Sequence, residues 1–107
     1  MQTIKSRKDF GAVFSSGRRA SDRLVRVTAL QNTRSDGKLA FVAAKRLGNA
    51  VYRNRCKRVL REAARQADRP REDSAIILFA TRATHDAHPD EVARSIRRLV
   101  GKVIKSH

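Results

Sequence analysis

The chain has 107 residues, enough for one domain with one modest core. Lys and Arg number 25 against 10 Asp and Glu, a formal charge of +15, and only 5% of residues are aromatic. That balance costs self-repulsion and attracts polyanions, so RNA, DNA and an acidic membrane surface are the partners to weigh. A single cysteine, Cys56, excludes an intramolecular disulfide and suits a reducing compartment. The first ten residues lack the apolar run of a signal peptide. The longest apolar stretch, AIILFA at 75–80, is too short for a bilayer, so the expected location is the cytoplasm.

In chain order, Ser6 and Asp9 have the spacing of a capping box, and Phe10, Val13 and Phe14 follow at i, i+3 and i+4. This predicts a helix over about 7–15 with Gly17 as its C-cap. In RLVRVTAL at 23–30, Val25, Val27 and Ala29 alternate with Leu24, Arg26 and Thr28, the pattern of a strand with one apolar face. A turn-rich loop at 32–37 and a second strand at 39–44 complete an expected β-hairpin over 23–44. Asn49 can cap a helix from Ala50 to about Ala67. Residues 74–80 have the length and composition of a third strand. After the polar loop TRATHDA, Pro89, Asp90 and Glu91 open a last helix, in which Val92, Ile96, Leu99 and Val103 share one face to about Ile104. The order helix-hairpin-helix-strand-helix gives an α+β fold, an α/β sandwich with a small central sheet packed with helices. No repeat or linker divides it, so 1–107 is expected to be a single domain.

On a wheel of the long helix, Tyr52, Cys56, Val59, Leu60, Ala63 and Ala67 fall on one arc. Arg53, Lys57, Arg61 and Arg65 form a separate i, i+4 ladder, with Asn54 and Arg58 beside it and Arg55 projecting toward the side of Glu62. A merely solvated face would mix signs, because like charges at i, i+4 cost a few tenths of a kcal/mol each. Guanidinium offers a planar fork for phosphate and a plane for stacking on bases, which favours nucleic acid. The apolar arc of Cys, Val and Ala is too slight for lipid insertion and suits packing on a sheet. Composition leaves RNA and DNA both open, although the chain shows no zipper, zinc ligands or helix-turn-helix spacing.

KRLGNAVYRNRCKRVLREA, residues 45–63, resembles the signature of the bacterial ribonuclease P protein component, roughly K-[KR]-x-G-x-A-V-x-R-N-R-x-K-R-x-x-R-E. Lys8, Asp9, Phe10, Val13, Phe14 and Gly17 are similar to that family's N-terminal helix. The resemblance implies a fold of the ribosomal protein S5 domain 2-like type with a left-handed crossover. It implies a non-catalytic protein subunit, whose large RNA partner performs the chemistry with magnesium ions. That chemistry is endonucleolytic hydrolysis removing the 5′ leader of precursor tRNA. No cofactor is expected on the protein alone, and Mg2+ is expected in the holoenzyme. Carried over by position, Asn49, Arg53, Asn54, Arg55, Lys57, Arg58, Arg61 and Arg65 form the RNA-binding helix. Phe10, Phe14, Arg26, Thr28, Lys45 and Arg46 line the leader cleft. Single-stranded RNA is held by a cationic groove with aromatic platforms, which fits this division. Phe10 and Phe14 also read as ordinary core packing, and both readings hold if one ring face stays open.

The chain departs from the family's pattern where an aromatic is common on the first strand, here Arg26 and Thr28, and at Ala44 and Ala64, where Ser and an aromatic are common. His85 and His88, with Asp86, are too few for a metal site. Cys56 on the apolar arc reads as a buried, inert thiol. No catalytic constellation or Gly-rich phosphate loop stands out. The expected partners are ribonuclease P RNA and precursor tRNA, with no membrane, and the protein is expected to be a monomer. A ribosomal protein or general RNA chaperone is the second reading, and a DNA-binding regulator the third.

Overall fold

The computed structural model describes residues 2–4, 6–31, 37–68 and 74–104. Its strands are β1 (Gln2–Thr3), β2 (Arg18–Ser21), β3 (Val25–Gln31), β4 (Lys38–Val42) and β5 (Ser74–Ala80). They form one mixed sheet in the order β1-β4-β5-β3-β2. The helices are α1 (Arg7–Ser16), α2 (Ala50–Ala67) and α3 (Pro89–Val103), with short 3-10 turns at Lys45–Leu47 and Thr84–Asp86.

Each helix starts where its capping chemistry directs. Ser6 Oγ accepts from the N–H groups of Lys8 and Asp9, at 3.1 and 3.3 Å. Asn49 Oδ1 accepts from Tyr52 N–H at 2.9 Å. At α3, Pro89 occupies the first turn and His88 Nδ1 accepts from Asp90 N–H at 3.1 Å. Gly17 does close α1, but with an extended backbone (φ −73°, ψ 157°) rather than a left-handed cap. Glycine is needed there for closeness: a Cβ would lie 2.4 Å from the Val13 carbonyl oxygen and 2.9 Å from the Thr28 methyl.

The expected 23–44 hairpin does not form. β5 lies between β3 and β4, antiparallel to the first and parallel to the second. The reason is burial. Residues 74–78 are buried on both sides of the strand, and a strand apolar on both faces belongs in the middle of a sheet. α2 is therefore the crossover of the parallel pair β4 and β5. The hairpin that does form is β2–β3, with Arg19 opposite Thr28 and Ser21 opposite Arg26. Its turn is held by Asp22 Oδ1, which accepts from the N–H groups of Leu24 (2.9 Å) and Val25 (3.1 Å). β2, Arg-Arg-Ala-Ser, carries no apolar alternation to announce it. Residues 32–36 of the expected loop lie outside the described residues.

The two faces of the sheet are covered differently. Val25, Val27, Leu39, Ile76 and Leu78 meet Leu60 and Ala63 of α2 and Val92, Ile96 and Leu99 of α3 in the main core. On the opposite face Val13 of α1 packs with Ile4, Ala40, Ala75 and Ile77 in a smaller cluster.

Candidate nucleic-acid interface

The helical wheel of α2 holds in space. Cys56, Val59, Leu60, Ala63 and Ala67 are buried, joined by Ala64, while Tyr52 is half-buried. The cations divide by what they touch. Arg61 stacks over Phe41, its guanidinium carbon 5.4 Å from the ring centroid. Arg65 donates to Glu62 through Nε at 3.1 Å, and that hydrogen bond holds the exposed Glu62 carboxyl below its ordinary value. Arg55, on the side of α2 that also carries Glu62, donates its Nε to the His85 carbonyl at 2.9 Å. Tyr52 stacks on His85 at 4.1 Å and donates to the Arg82 carbonyl at 3.2 Å. The segment after β5 thus buttresses the first turns of α2. Among the described residues, Asn54, Lys57 and Arg58 make no side-chain hydrogen bond or ion pair, and Arg53 Nε is buried without a partner. Asn54 and Arg58 are exposed, as are Lys45, Arg46 and Asn49 just before the helix. Gly48 joins those segments at φ +156°, where a Cβ would sit 2.9 Å from the Tyr52 ring.

The second half of the surface is a groove on the α1 face of the sheet. Residues opposite one another on neighbouring strands share a face. The register places Arg26, Phe79 and Val42 in one row, and Thr28, Ile77 and Ala40 in the next. α1 buries the second row and leaves the first partly open: Arg26 is exposed and Phe79 and Val42 are half-buried. Phe10, half-buried, stacks on Phe14 at 6.3 Å, and Phe14 is 43% exposed. Phe14 meets Phe79 at 6.1 Å and 67°. Arg19 lies 4.6 Å from the Phe14 centroid and donates to the Phe14 carbonyl at 2.8 Å. β4 leaves the sheet at the Val42 end of this row, so Lys45 and Arg46 follow where the groove opens.

One expected groove residue does not reach the groove. Thr28 is 2% exposed, pressed under the close approach of Gly17, and cannot line an open groove. Phe10, Phe14 and Arg26 do come together. Phe79 and Arg19 were missing from the expected set. Phe79 ends an apolar run that reads as core, and only the β3–β5 register puts it opposite Arg26. Arg19 belongs to the unannounced strand β2.

Other titratable groups have structural uses. Cys56 is fully buried, and burial pushes its thiol up, against the opposing pull of Arg55. His85 Nδ1 lies 2.7 Å from Asp86 Oδ1. Among the described residues no group of three or more His, Cys, Asp or Glu is placed to hold a metal. Nor is any helix among them long and apolar enough to cross a membrane.

Fold and surface together define a class: a small basic α+β protein with cationic and aromatic side chains gathered at one end of its sheet. Comparison with known proteins narrows it. A family model described as "Ribonuclease P" matches residues 1–104. The ribonuclease P protein component of Symbiobacterium thermophilum is 36% identical over 98 residues, covering 90% of this chain and 85% of the relative. That of Pelotomaculum thermopropionicum is 30% identical over 101 residues, covering 94% and 90%. The structure of the Staphylococcus aureus RNase P protein superposes with a TM-score of 0.77 at 26% identity, covering 96% of this chain and 97% of that one. The Thermotoga maritima protein (TM-score 0.74, 20% identity, 92% and 98% covered) shares the fold. The chain belongs to the bacterial ribonuclease P protein family, the protein components of a tRNA-processing endoribonuclease.

Proposed function

We propose that this protein is the non-catalytic subunit of ribonuclease P, binding the catalytic RNA through α2 and the single-stranded 5′ leader of precursor tRNA through the groove. The observation that carries the reading is the pairing of two surfaces at one end of the sheet. One is a helix whose Asn54, Lys57 and Arg58 have no side-chain partners among the described residues, and the other is an open corner of Phe14 and Phe79 flanked by Arg19 and Arg26. Phosphates neutralised by Arg and Lys release counterions, and bases stack on aromatic rings. The protein's work is then to offset phosphate repulsion and to hold the leader. Hydrolysis of the phosphodiester, with magnesium ions, belongs to the RNA.

The test mixes the protein with ribonuclease P RNA and precursor tRNA at limiting magnesium and measures leader removal. Strong stimulation is expected, with no cleavage by the protein alone. With about seven phosphates neutralised, affinity should fall with salt at a log–log slope of roughly −5 to −6. Replacing Arg53, Asn54 and Arg55 together by Ala should lower RNA affinity with circular dichroism unchanged. Tight binding to many RNAs without stimulation would instead favour a general RNA chaperone.

A further inference from the structure

One side chain on the groove floor has its donors unspent. Arg26 is exposed on β3, directly opposite Phe79 on β5, with its guanidinium carbon 5.8 Å from the ring centroid. Among the described residues no hydrogen bond or ion pair engages it. Arg19, its counterpart over Phe14, differs, because it gives a donor to the Phe14 carbonyl. Phe14 and Phe79 stand at 67° to one another, an apolar corner beside the Arg26 fork.

A guanidinium presents donors only, in a planar fork. It complements a base edge with two adjacent acceptors and is mismatched to an edge that carries a donor. Guanine presents O6 and N7 side by side, whereas adenine has an amino group in place of O6. Cytosine offers O2 and N3 together but a smaller face for stacking. We propose that Arg26 and Phe79 form a base-reading subsite for a guanine of the single-stranded leader, the base packing into the corner made by Phe79 and Phe14 and Arg26 reading O6 and N7. This rests on the leader-binding reading above. It gives that groove a sequence preference in place of mere attraction for phosphate.

The test uses the ribonucleoprotein reconstituted with ribonuclease P RNA. Precursor tRNAs carry all-adenine leaders in which one guanine, or one cytosine, is moved through successive positions, with mature tRNA as the control. At one position guanine is expected to bind about tenfold tighter than adenine, with cytosine between. Arg26→Ala should collapse that ratio to about one. Arg26→Met, which keeps a long unbranched stem but has no donors, should collapse it too, and stands in if the Ala variant fails to fold. Phe79→Leu, which keeps most of the apolar volume, should weaken every leader about fivefold and retain the preference. Equal binding of guanine and adenine at every position overturns the subsite, as do cytosine above guanine and a guanine preference that survives both Arg26 variants. In each of those cases a leader that still binds tighter than mature tRNA leaves the leader-binding reading standing. Wild-type affinity in Phe79→Leu removes Phe79 from the subsite. If precursor and mature tRNA bind alike, the leader-binding reading fails and the subsite fails with it.

Discussion

The two faces of the sheet are built from the same strands by the same alternation, yet one is sealed and the other is not. Val25, Val27, Ile76 and Leu78 on the first face are at most 1% exposed. On the second, Ile77 is buried but its neighbours in the next row, Arg26 and Phe79, are not. Helix length accounts for the difference. α2 and α3, with 18 and 15 residues, cover the first face. α1 has 10 residues, roughly 15 Å of helix, against strands of seven residues that span roughly 23 Å. Even laid along the strands it leaves a row uncovered. The groove is what remains of a face whose lid is too short, and the row it leaves open combines the cation Arg26 of β3 with Phe79 of β5 and Val42 of β4.

Substitutions can break or sharpen this contrast. Ile76→Ala empties volume in the sealed core and should cost about 3–4 kcal/mol of stability in urea unfolding. A loss below about 1 kcal/mol would mean that this face is not the main store of stability. Phe14→Ala on the open side should cost only about 1–2 kcal/mol, since nearly half of the ring is already in water. It should also lower leader affinity about fivefold or more. If it destabilises as Ile76→Ala does and spares the leader, the open face is core after all.

The smallest effect is expected at Asp22, in the β2–β3 turn. Burial opposes its charge, but hydrogen bonds from Ser95, the Leu24 and Val25 N–H groups and Arg98 outweigh burial and hold the carboxyl below its ordinary value. The ionised form is therefore the one that stabilises the fold. That stabilisation is complete above the unfolded carboxyl's pKa of about 3.9 and is lost as pH falls through the lower folded value. Asp22→Asn should cost about 1 kcal/mol at neutral pH, and its melting curve should converge on the wild type's in acid. A gap that persists at low pH would assign the loss to shape instead of charge.

How much of this could be read from the sequence depended on the range of the interaction involved. Ser6, Asn49 and Pro89 act within four residues, and the helix starts they mark agree with the structure. The core arc of α2 follows from a single helical period. Strand order was not legible, because nothing local to 23–44 reveals that 74–80 will insert there. The same ignorance hid Phe79, whose partner Arg26 is 53 positions away in the chain. Thr28 failed for a related reason: alternation places it on the outer face, but the missing Cβ of Gly17 is what lets α1 press down on it.

The insertion of β5 has a consequence for how the protein is made. β3 and β4 have no contact ladder with each other, so the sheet cannot close until residues 74–80 have been synthesised and threaded between them. α2 bridges the gap that this late strand must fill. Until then it is an 18-residue helix without a platform, dense in like charge and marginal by itself. The order of translation thus delays the finished surface: a ribosome must deliver at least two-thirds of the chain before the charged helix and the groove can be held in register with each other.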